Sequence, residues 1–353
     1  MTAKRPAPFE LSCPLPDDGA DTIRLAHGGG GRLMQQLLRE LVLPALTGQA
    51  LTRQHDAAVI ETDGRRLAFT TDSYVVRPRV FPGGDIGRLA VYGTVNDLAA
   101  AGARPLWLSA GLIIEEGLPR GELAALLRSM REAADIAGVR IVTGDTKVVD
   151  RGAGDGLYIN TAGIGLVEPG IDIHPAHVQD GDAVLVSGDV GRHGIAIMAC
   201  REGLEFEPPI ESDCAPLGGL VQVLLGAGLR PHCLRDITRG GLAAVLHEIA
   251  EASALAIEVD EAAIPVSEAV ASACEVLGLD PLQVACEGRM LMVLPPDQAA
   301  RTLEVLRVHP LGAGASLIGR VERRARAEVI LRSRVGSRRI LDLPGGELLP
   351  RIC

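Results

Sequence analysis

The feature that most constrains the fold of this sequence is the alternation of short apolar runs with amphipathic helical segments. Residues 67–72 and 139–142 are strand-like, and residues 122–138 carry apolar side chains at helical spacing and end on a glycine. A chain of 353 residues exceeds the length at which one hydrophobic core usually stops growing. The pattern therefore predicts an α/β protein of two domains.

Composition narrows the range of partners. The formal net charge of -10 argues against nucleic acid and is compatible with binding metal cations through carboxylates. No apolar run approaches about 18 residues and the first 15 residues contain no hydrophobic leader core, so we expect neither a membrane span nor a signal peptide. Seven scattered cysteines without a CxxC pair favour a reducing cytoplasm.

A glycine-rich turn lies near the N-terminus. Residues 23–26 are predicted to form a short strand that leads into Gly28, Gly29, Gly30 and Gly31, and an amphipathic helix follows. Backbone amides exposed by such a turn before a helix favour an anion such as a phosphate. A plain loop is the alternative interpretation.

Several aspartates stand at the predicted ends of strands and helices. A carboxylate at a strand end lies where open α/β sheets usually bind ligands. Carboxylate oxygens are also the ligands that Mg²⁺ prefers when it is shared with nucleotide phosphates. For Asp97, a solvated helix face is the alternative. The candidate ligands are Asp56, Asp72, Asp97 and Asp236.

Lys147 is the second of only two lysines among 35 basic residues. It follows Asp145 at the predicted end of the strand 139–142, where its compact charge suits a phosphate oxygen. Glu287 precedes another predicted strand, 290–294, and is either a functional carboxylate or an exposed loop residue.

The chain ends on a cysteine, Cys353. Residues 344–346, Pro-Gly-Gly, form a potential hinge, so residues 336–353 are predicted to act as a mobile arm that carries a nucleophilic sulfur. An accident of termination is the alternative. The terminal carboxylate disfavours the thiolate, and Arg351 is a candidate for compensating it.

Taken together, these motifs resemble those of the aminoimidazole ribonucleotide synthetase superfamily, which includes selenophosphate synthetase and thiamine monophosphate kinase. The terminal Pro-Arg-Ile-Cys resembles the HypE family of hydrogenase maturation carbamoyl dehydratases within it. The resemblance covers residues 25–353, and its motifs are residues 26–31, 71–75, 81–87, 96–97, 144–149, 236–241, 287–288 and 350–353.

The resemblance implies a two-domain α/β (α+β) fold of mixed sheets with flanking helices and a mobile C-terminal tail. We expect a flexible lead-in at 1–22, an ATP-binding and dimerisation domain at 23–170, an α/β domain at 171–335 and the tail at 336–353.

It further implies ATP-dependent dehydration of a carbamoyl group on Cys353 to a thiocyanate, which supplies cyanide for NiFe hydrogenase. Cys353, Lys147 and Glu287 would be catalytic. Mg²⁺ would be held by Asp56, Asp72, Asp97 and Asp236. ATP would contact Gly28, Gly29, Gly30, Gly31, Thr71, Asp72, Asn96, Asp97, Asp145, Lys147 and Asp236.

The implied partners are a second copy of the chain, the HypF carbamoyltransferase and the HypC–HypD complex. Two alternatives remain at this point. Another ATP-using enzyme of the superfamily, such as a selenophosphate synthetase or a small-molecule kinase, would not need Cys353. A non-catalytic carrier would need Cys353 but not Asp97 or Lys147.

Overall fold

The computed structural model describes residues 22–46, 55–343 and 352–353. The predicted lead-in up to residue 21, the hinge at 344–346 and Arg351 lie outside these ranges. Among the helices of the described ranges, none combines the length and apolarity that crossing a bilayer requires.

The first domain is built on a five-stranded sheet in the order β1-β2-β7-β5-β6. Neighbouring strands are antiparallel except β5 and β6, which are parallel. A small hairpin, β3 and β4, follows β2. The strands are β1 Ala58–Thr62, β2 Arg65–Tyr74, β3 Val80–Phe81, β4 Gly84–Asp85, β5 Ala103–Glu115, β6 Arg140–Val149 and β7 Leu157–Val167.

The helices of this domain follow the expected local rules. Asp85 caps the third helix by accepting hydrogen bonds from the amides of Gly87 and Arg88. The predicted helix at 122–138 is confirmed, and Gly138 ends it at a φ of +70°. The helices are α1 Arg32–Leu37, which continues as a π-helical turn Leu38–Val42 into α2 Leu43–Ala45, then α3 Ile86–Ala100 and α4 Arg120–Ala137.

The strand predicted at 23–26 is wrong. Residues Leu25–Gly28 form a 3-10 helix instead. The imidazole Nδ1 of His27 accepts a hydrogen bond from the Arg24 amide at 3.0 Å, which closes a local turn. A side chain that bonds to nearby backbone competes with the formation of an extended strand.

The second domain is built on a seven-stranded sheet in the order β14-β13-β10-β12-β8-β11-β9, in which only β10 and β13 are parallel. The strands are β8 Ala183–Val186, β9 Cys233–Asp236, β10 Ala256–Asp260, β11 Met290–Leu294, β12 Ser316–Glu322, β13 Val329–Arg332 and β14 Arg338–Ile340. The helices are α5 Arg192–Glu202, α6 Gly218–Gly226, α7 Gly241–Ser253, α8 Glu268–Leu277 and α9 Ala299–Val308.

The range predicted as a mobile tail, 336–353, begins with ordered structure. Strand β14 pairs with β13, and the Leu341 amide donates to the Val329 carbonyl at 2.9 Å. Leu341 is also fully buried in the core of the second domain. Residues 338–343 therefore belong to that domain, because strand pairing and burial hold them there.

Helix α3 joins the two domains. Almost every residue of α3 is buried, and it packs on the first sheet and against α6 and β9 of the second domain. The side chain of Asn96 donates to the Ala215 carbonyl at 3.1 Å and accepts from the Leu217 amide at 2.7 Å. Asn96 belongs to the first domain and both partners belong to the second, so these buried hydrogen bonds fix the relative position of the domains.

The first sheet has two different faces. On the covered face, α3 packs over β2 residues such as Ala68, Thr70 and Tyr74, which are buried. On the uncovered face, Phe69, Trp107 and other apolar side chains are exposed. Side chains alternate between the two faces along each strand. Nine of the ten residues of the edge strand β6 are exposed, so this edge is also open.

Candidate active site

Three carboxylates converge at the junction between the domains. Asp56 precedes β1, Asp97 lies on α3 and Asp236 ends β9, and one oxygen of each lies within 4.8 Å of the others. Asp72, the fourth predicted ligand, is on the covered face of β2, and its charge acts on both Asp97 and Asp236. Hard oxygen donors at this spacing suit a divalent cation such as Mg²⁺.

The electrostatics of this cluster favour a cation. Burial raises the pKa of Asp97 well above its ordinary value, and the charges of Asp236, Asp56 and Asp72 raise it further. Burial, followed by the charge of Asp56, does the same for Asp236. Asp56 Oδ2 is buried without a hydrogen-bond partner among the described residues. Crowded carboxylates of this kind are stabilised when positive charge lies between them.

Neighbouring side chains hold the carboxylates in place. Arg235 Nε lies 2.8 Å from Asp56 Oδ1, and the same guanidinium pairs with Glu248. The Thr70 hydroxyl lies 2.7 Å from Asp97 Oδ2. Because these partners are themselves largely buried, the carboxylate oxygens are oriented before any ligand binds.

The glycine-rich turn contacts the loop after β9. Gly28 ends the 3-10 helix, and its carbonyl accepts from Arg239 Nη1 at 3.2 Å. Gly30 has a φ of +76°, and a Cβ there would lie 2.8 Å from the Arg239 carbonyl oxygen. Only glycine fits this approach, which brings Gly29, Gly30 and Gly31 close to the loop that follows Asp236.

Glu287 is buried at the junction rather than exposed on a loop. Burial raises its pKa well above the ordinary value, the charges of Asp236 and Asp72 add to this, and Arg239 opposes it. A Cβ at Gly288 would lie 1.9 Å from the Asp213 carbonyl oxygen, so this glycine allows the chain to approach residue 213 closely. The packing places the Glu287 carboxyl beside the aspartate cluster.

Cys353 lies at the same place. Its thiol is within hydrogen-bonding reach of Glu287 and is partly buried against the hydrophobic cluster that includes Tyr74 and Ile195. Burial raises the pKa of this thiol, Arg239 lowers it, and Glu287 and Asp72 raise it further. The terminal sulfur therefore lies beside the candidate base.

Lys147, Asp145 and Thr71 lie elsewhere. Lys147 is inside β6 rather than at a strand end, and its Nζ pairs with Asp145 at 2.7 Å on the exposed surface. The register from β2 to β6 places Asp145 and Lys147 on the uncovered face of the sheet, which is also the face of Thr71. Asp72 is on the other face. Three strand spacings separate β2 from β6, about 14 Å. A single copy of the chain does not bring Lys147 to the carboxylates.

Two site residues were not predicted from the sequence. Arg239 is the cation whose charge acts on Cys353, Asp72 and Glu287 together. Tyr74 is buried on the covered face, where its phenol acts on the carboxyl of Asp72. Both lie inside motifs noted above, at 71–75 and 236–241, and these motifs were the only sequence signal for their role.

The amide of Asn96 forms hydrogen bonds with the second domain, which favours a role in holding the junction rather than in binding ATP.

The two domains define the class of protein. Residues 54–167 match the AIR synthase related protein N-terminal domain, and residues 179–332 match the AIR synthase related protein C-terminal domain. The chain is therefore a member of the AIR synthase related proteins.

Full-length relatives specify the family within this class. Carbamoyl dehydratase HypE of Azotobacter vinelandii is 48% identical over 332 residues, which are 94% of this chain and 97% of that protein. A HypE–HypF complex contains a chain with a TM-score of 0.82 at 45% identity, covering 87% of this chain and 99% of that one. The structure of hydrogenase maturation protein HypE in complex with ATP has a TM-score of 0.80 at 45% identity, covering 94% of this chain and 100% of that one.

The chain belongs to the HypE family of carbamoyl dehydratases, which act in hydrogenase maturation. This membership confirms the resemblance drawn from the motifs and the terminal Pro-Arg-Ile-Cys. It favours the dehydratase interpretation over a selenophosphate synthetase, a small-molecule kinase or a non-catalytic carrier.

Proposed function

We propose that this chain binds ATP over the carboxylates of the covered face and uses it to dehydrate a carbamoyl group carried by Cys353. The observation that carries the proposal is the position of the Cys353 thiol beside Glu287, Arg239 and Asp72, at the aspartate cluster. The sulfur of the substrate arm and the phosphate-handling groups therefore share one site. The ATP complex of a HypE relative supports nucleotide binding on this fold.

Mg²⁺ fits the carboxylates that are present. Asp56, Asp97 and Asp236 offer three hard oxygen ligands, and the repulsion between their charges favours a divalent cation. Asp72 is the nearby carboxylate that could share it with phosphate. When bound, Mg²⁺ would neutralise negative charge on the phosphates of ATP.

The reaction needs ATP because a thiocarbamate cannot lose water directly. In Cys353–S–C(=O)–NH2 the oxygen would depart as hydroxide, which is a poor leaving group. Attack of the carbonyl oxygen on the γ-phosphorus of ATP releases ADP and makes phosphate the leaving group. Loss of both N–H protons and of phosphate then gives Cys353–S–C≡N. The protein positions these groups and stabilises charge.

Glu287 is the candidate for removing protons from nitrogen. It faces the Cys353 sulfur, so it lies next to where the carbamoyl group would be. A base acts best when its pKa is close to the working pH, and burial raises the pKa of Glu287 in that direction. Arg239 provides positive charge beside the sulfur. Arg351, which was predicted to compensate the terminal carboxylate, lies outside the described residues.

Lys147 requires a second copy of the chain in this account. The uncovered face exposes apolar side chains, including Phe69, Trp107 and Ile113, and β6 is an open edge. Pairing of two copies through these faces and the open β6 edges would bury them and would place Lys147 of one copy at the interface, toward phosphates that extend from the carboxylates of the other. We therefore propose a homodimer with ATP near the interface.

The arm also has to reach partners outside the site. A HypE relative forms a complex with HypF, and we propose that HypF supplies the carbamoyl group to Cys353 here as well. The HypC–HypD complex would accept the cyanide. Because the docked sulfur is partly buried, Cys353 must leave the site for both transfers.

The test is the mass of the C-terminal peptide after incubation with carbamoyl phosphate, ATP, Mg²⁺ and HypF. We expect a carbamoyl adduct on Cys353 that loses the mass of one water only when ATP is supplied. ATP consumption with Cys353 unmodified would contradict the proposal and would indicate a small-molecule acceptor.

A further inference from the structure

His193 contacts the end of the chain directly. This histidine lies in the first turn of α5, and its side chain is fully buried. Its Nε2 lies 2.6 Å from the carbonyl oxygen of Ile352, the residue before the terminal cysteine. Ile352 is itself 3% exposed within the hydrophobic cluster at the junction.

The contact with the Ile352 carbonyl fixes the tautomer of His193. A carbonyl only accepts hydrogen bonds, so the proton of the imidazole must be on Nε2. Nδ1 then accepts from the hydroxyl of Ser212, which lies 2.8 Å away. The Ser212 hydroxyl accepts in turn from the Cys214 amide at 3.1 Å, which orients it. Burial lowers the pKa of His193, which agrees with a neutral ring.

The packing around the ring leaves it no other orientation. Phe81 meets His193 edge to face, with ring centroids 5.4 Å apart and an interplanar angle of 85°. The Ser212 amide donates to the Pro82 carbonyl at 2.8 Å, so residues 81–82 and 212 are held together around the imidazole. The Nε2–H donor is therefore preorganised to receive a carbonyl at this point.

We propose that His193 is a positioning residue that latches the arm in its docked state by donating from Nε2 to the Ile352 carbonyl, which places the Cys353 sulfur against Glu287. The effect of the latch on catalysis rests on the proposed function. The latch itself is a property of the protein without ATP or partners. Carbamoylation changes the sulfur and leaves the Ile352 carbonyl unchanged. The same contact can therefore hold the arm before and after the carbamoyl group is attached.

The latch also has to be reversible, because HypF and the cyanide acceptor need the arm outside the site. One buried hydrogen bond between neutral groups contributes modestly to stability, which suits a contact that opens on each cycle. The hydrogen bonds of His193 join it to Ser212 and Ile352 and not to the sulfur or the carboxylates of the cluster. His193 would therefore affect the reaction by changing the fraction of molecules in which the arm is docked.

The experiment uses two near-isosteric substitutions in the full-length protein. In His193→Gln the side-chain amide nitrogen can reach the position of Nε2 and donate to the Ile352 carbonyl. In His193→Asn the amide nitrogen reaches only the position of Nδ1, so the bond is lost. His309→Asn, at a partly buried histidine that caps a turn after α9, is the matched control.

The first readout is the rate at which N-ethylmaleimide alkylates Cys353 without ATP or partners, followed by the mass of the C-terminal peptide. We expect roughly a tenfold faster reaction in His193→Asn, as for loss of one buried hydrogen bond, and near wild-type rates in His193→Gln and His309→Asn. Cys200 on α5 is exposed and reports reagent activity. Cys286 is buried, accepts from the Gly191 amide at 3.2 Å, and reports local folding.

Equal rates in His193→Asn and wild type would overturn the latch, as would equal acceleration by Asn and Gln. Alkylation of Cys286 in His193→Asn would also overturn it, because the histidine would then maintain local folding.

The second readout is ATP-dependent dehydration of protein already carbamoylated by HypF. We expect kcat to fall in His193→Asn with the KM for ATP unchanged. Failure of the proposed function would remove this dehydration in wild type but would leave the alkylation result intact.

Discussion

The two faces of the first sheet use the same strands for different purposes. The covered face presents Asp72 to the cluster of Asp56, Asp97 and Asp236 and packs against α3, which joins it to the second domain. The uncovered face presents Asp145 and Lys147 to the outside. The difference teaches that residues close in a sequence motif can serve different copies of the chain, because successive side chains in a strand point in opposite directions.

The largest effect should come from the covered face. In Asp97→Asn we expect ATP-dependent dehydration to fall by at least about 10²–10³-fold, because a charged ligand of the phosphate site is lost. Without Mg²⁺ the variant should be more stable than wild type by about 1–2 kcal/mol, because one of several buried, mutually repelling carboxylates is gone. The mass of the C-terminal peptide measures the dehydration, and thermal unfolding with and without Mg²⁺ measures the stability.

The control is Asp135→Asn at an exposed position of α4, which should behave as wild type. A destabilised Asp97→Asn protein that still gains stability from Mg²⁺ would show that the cluster does not bind the cation.

Substitution of Glu287, on the same face, tests the chemical step separately from ATP binding. In Glu287→Gln we expect carbamoylated Cys353 to accumulate, with dehydration reduced by about 10²–10⁴-fold, because a positioned base is removed. The mass of the C-terminal peptide measures this directly. Glu304→Gln, at an exposed glutamate of α9, is the control. Unchanged dehydration in Glu287→Gln would assign proton removal to another group.

Lys147 tests the uncovered face. In Lys147→Met we expect dehydration to fall by about 10²-fold, because a charge that stabilises the transferring phosphoryl group is lost. The stability of the isolated chain should not change, since Lys147 and Asp145 are exposed. Phosphate release and thermal unfolding measure the two quantities. Arg131→Met, at an exposed cation of α4, should leave both at wild-type values.

The smallest effect concerns the junction that keeps the covered face closed. In Asn96→Ala we expect a loss of about 1–3 kcal/mol in the free energy of unfolding, because buried backbone partners at Ala215 and Leu217 are left unpaired. Thr302→Val is the comparison, since its hydroxyl is buried without a hydrogen-bond partner among the described residues. It should change stability by less than about 0.5 kcal/mol. A urea titration measures the free energy of unfolding of both variants. Equal losses in Asn96→Ala and Thr302→Val would contradict the role of Asn96 in holding the two domains together.

Local features of the fold were predictable from the sequence. The helix at 120–137 follows from the spacing of its apolar residues and from the glycine that ends it. The capping role of Asp85 follows from its place just before the apolar pattern of α3. Lys147 was placed at a strand end because polar residues follow Val142, yet β6 continues to Val149. An edge strand that is open on both sides tolerates polar residues at every position, so alternation gives no signal there.

The site itself depended on long-range packing. Asp56 and Asp236 are far apart in sequence and meet only because α3 joins the two domains. The motifs named both residues, but no spacing rule brings them together. The docking of Ile352 on His193 was likewise not predicted, since an isolated buried histidine has no sequence signature.

The most direct test of this account is to mix the inactive Asp97→Asn and Lys147→Met proteins under conditions that allow subunits to exchange. If Lys147 serves the carboxylates of the other copy, each mixed dimer regains one intact site, and dehydration should return to about a quarter of the wild-type level. If no activity returns although mixed dimers form, Lys147 and Asp97 act within one chain, and the assignment of the two faces to different sites is contradicted.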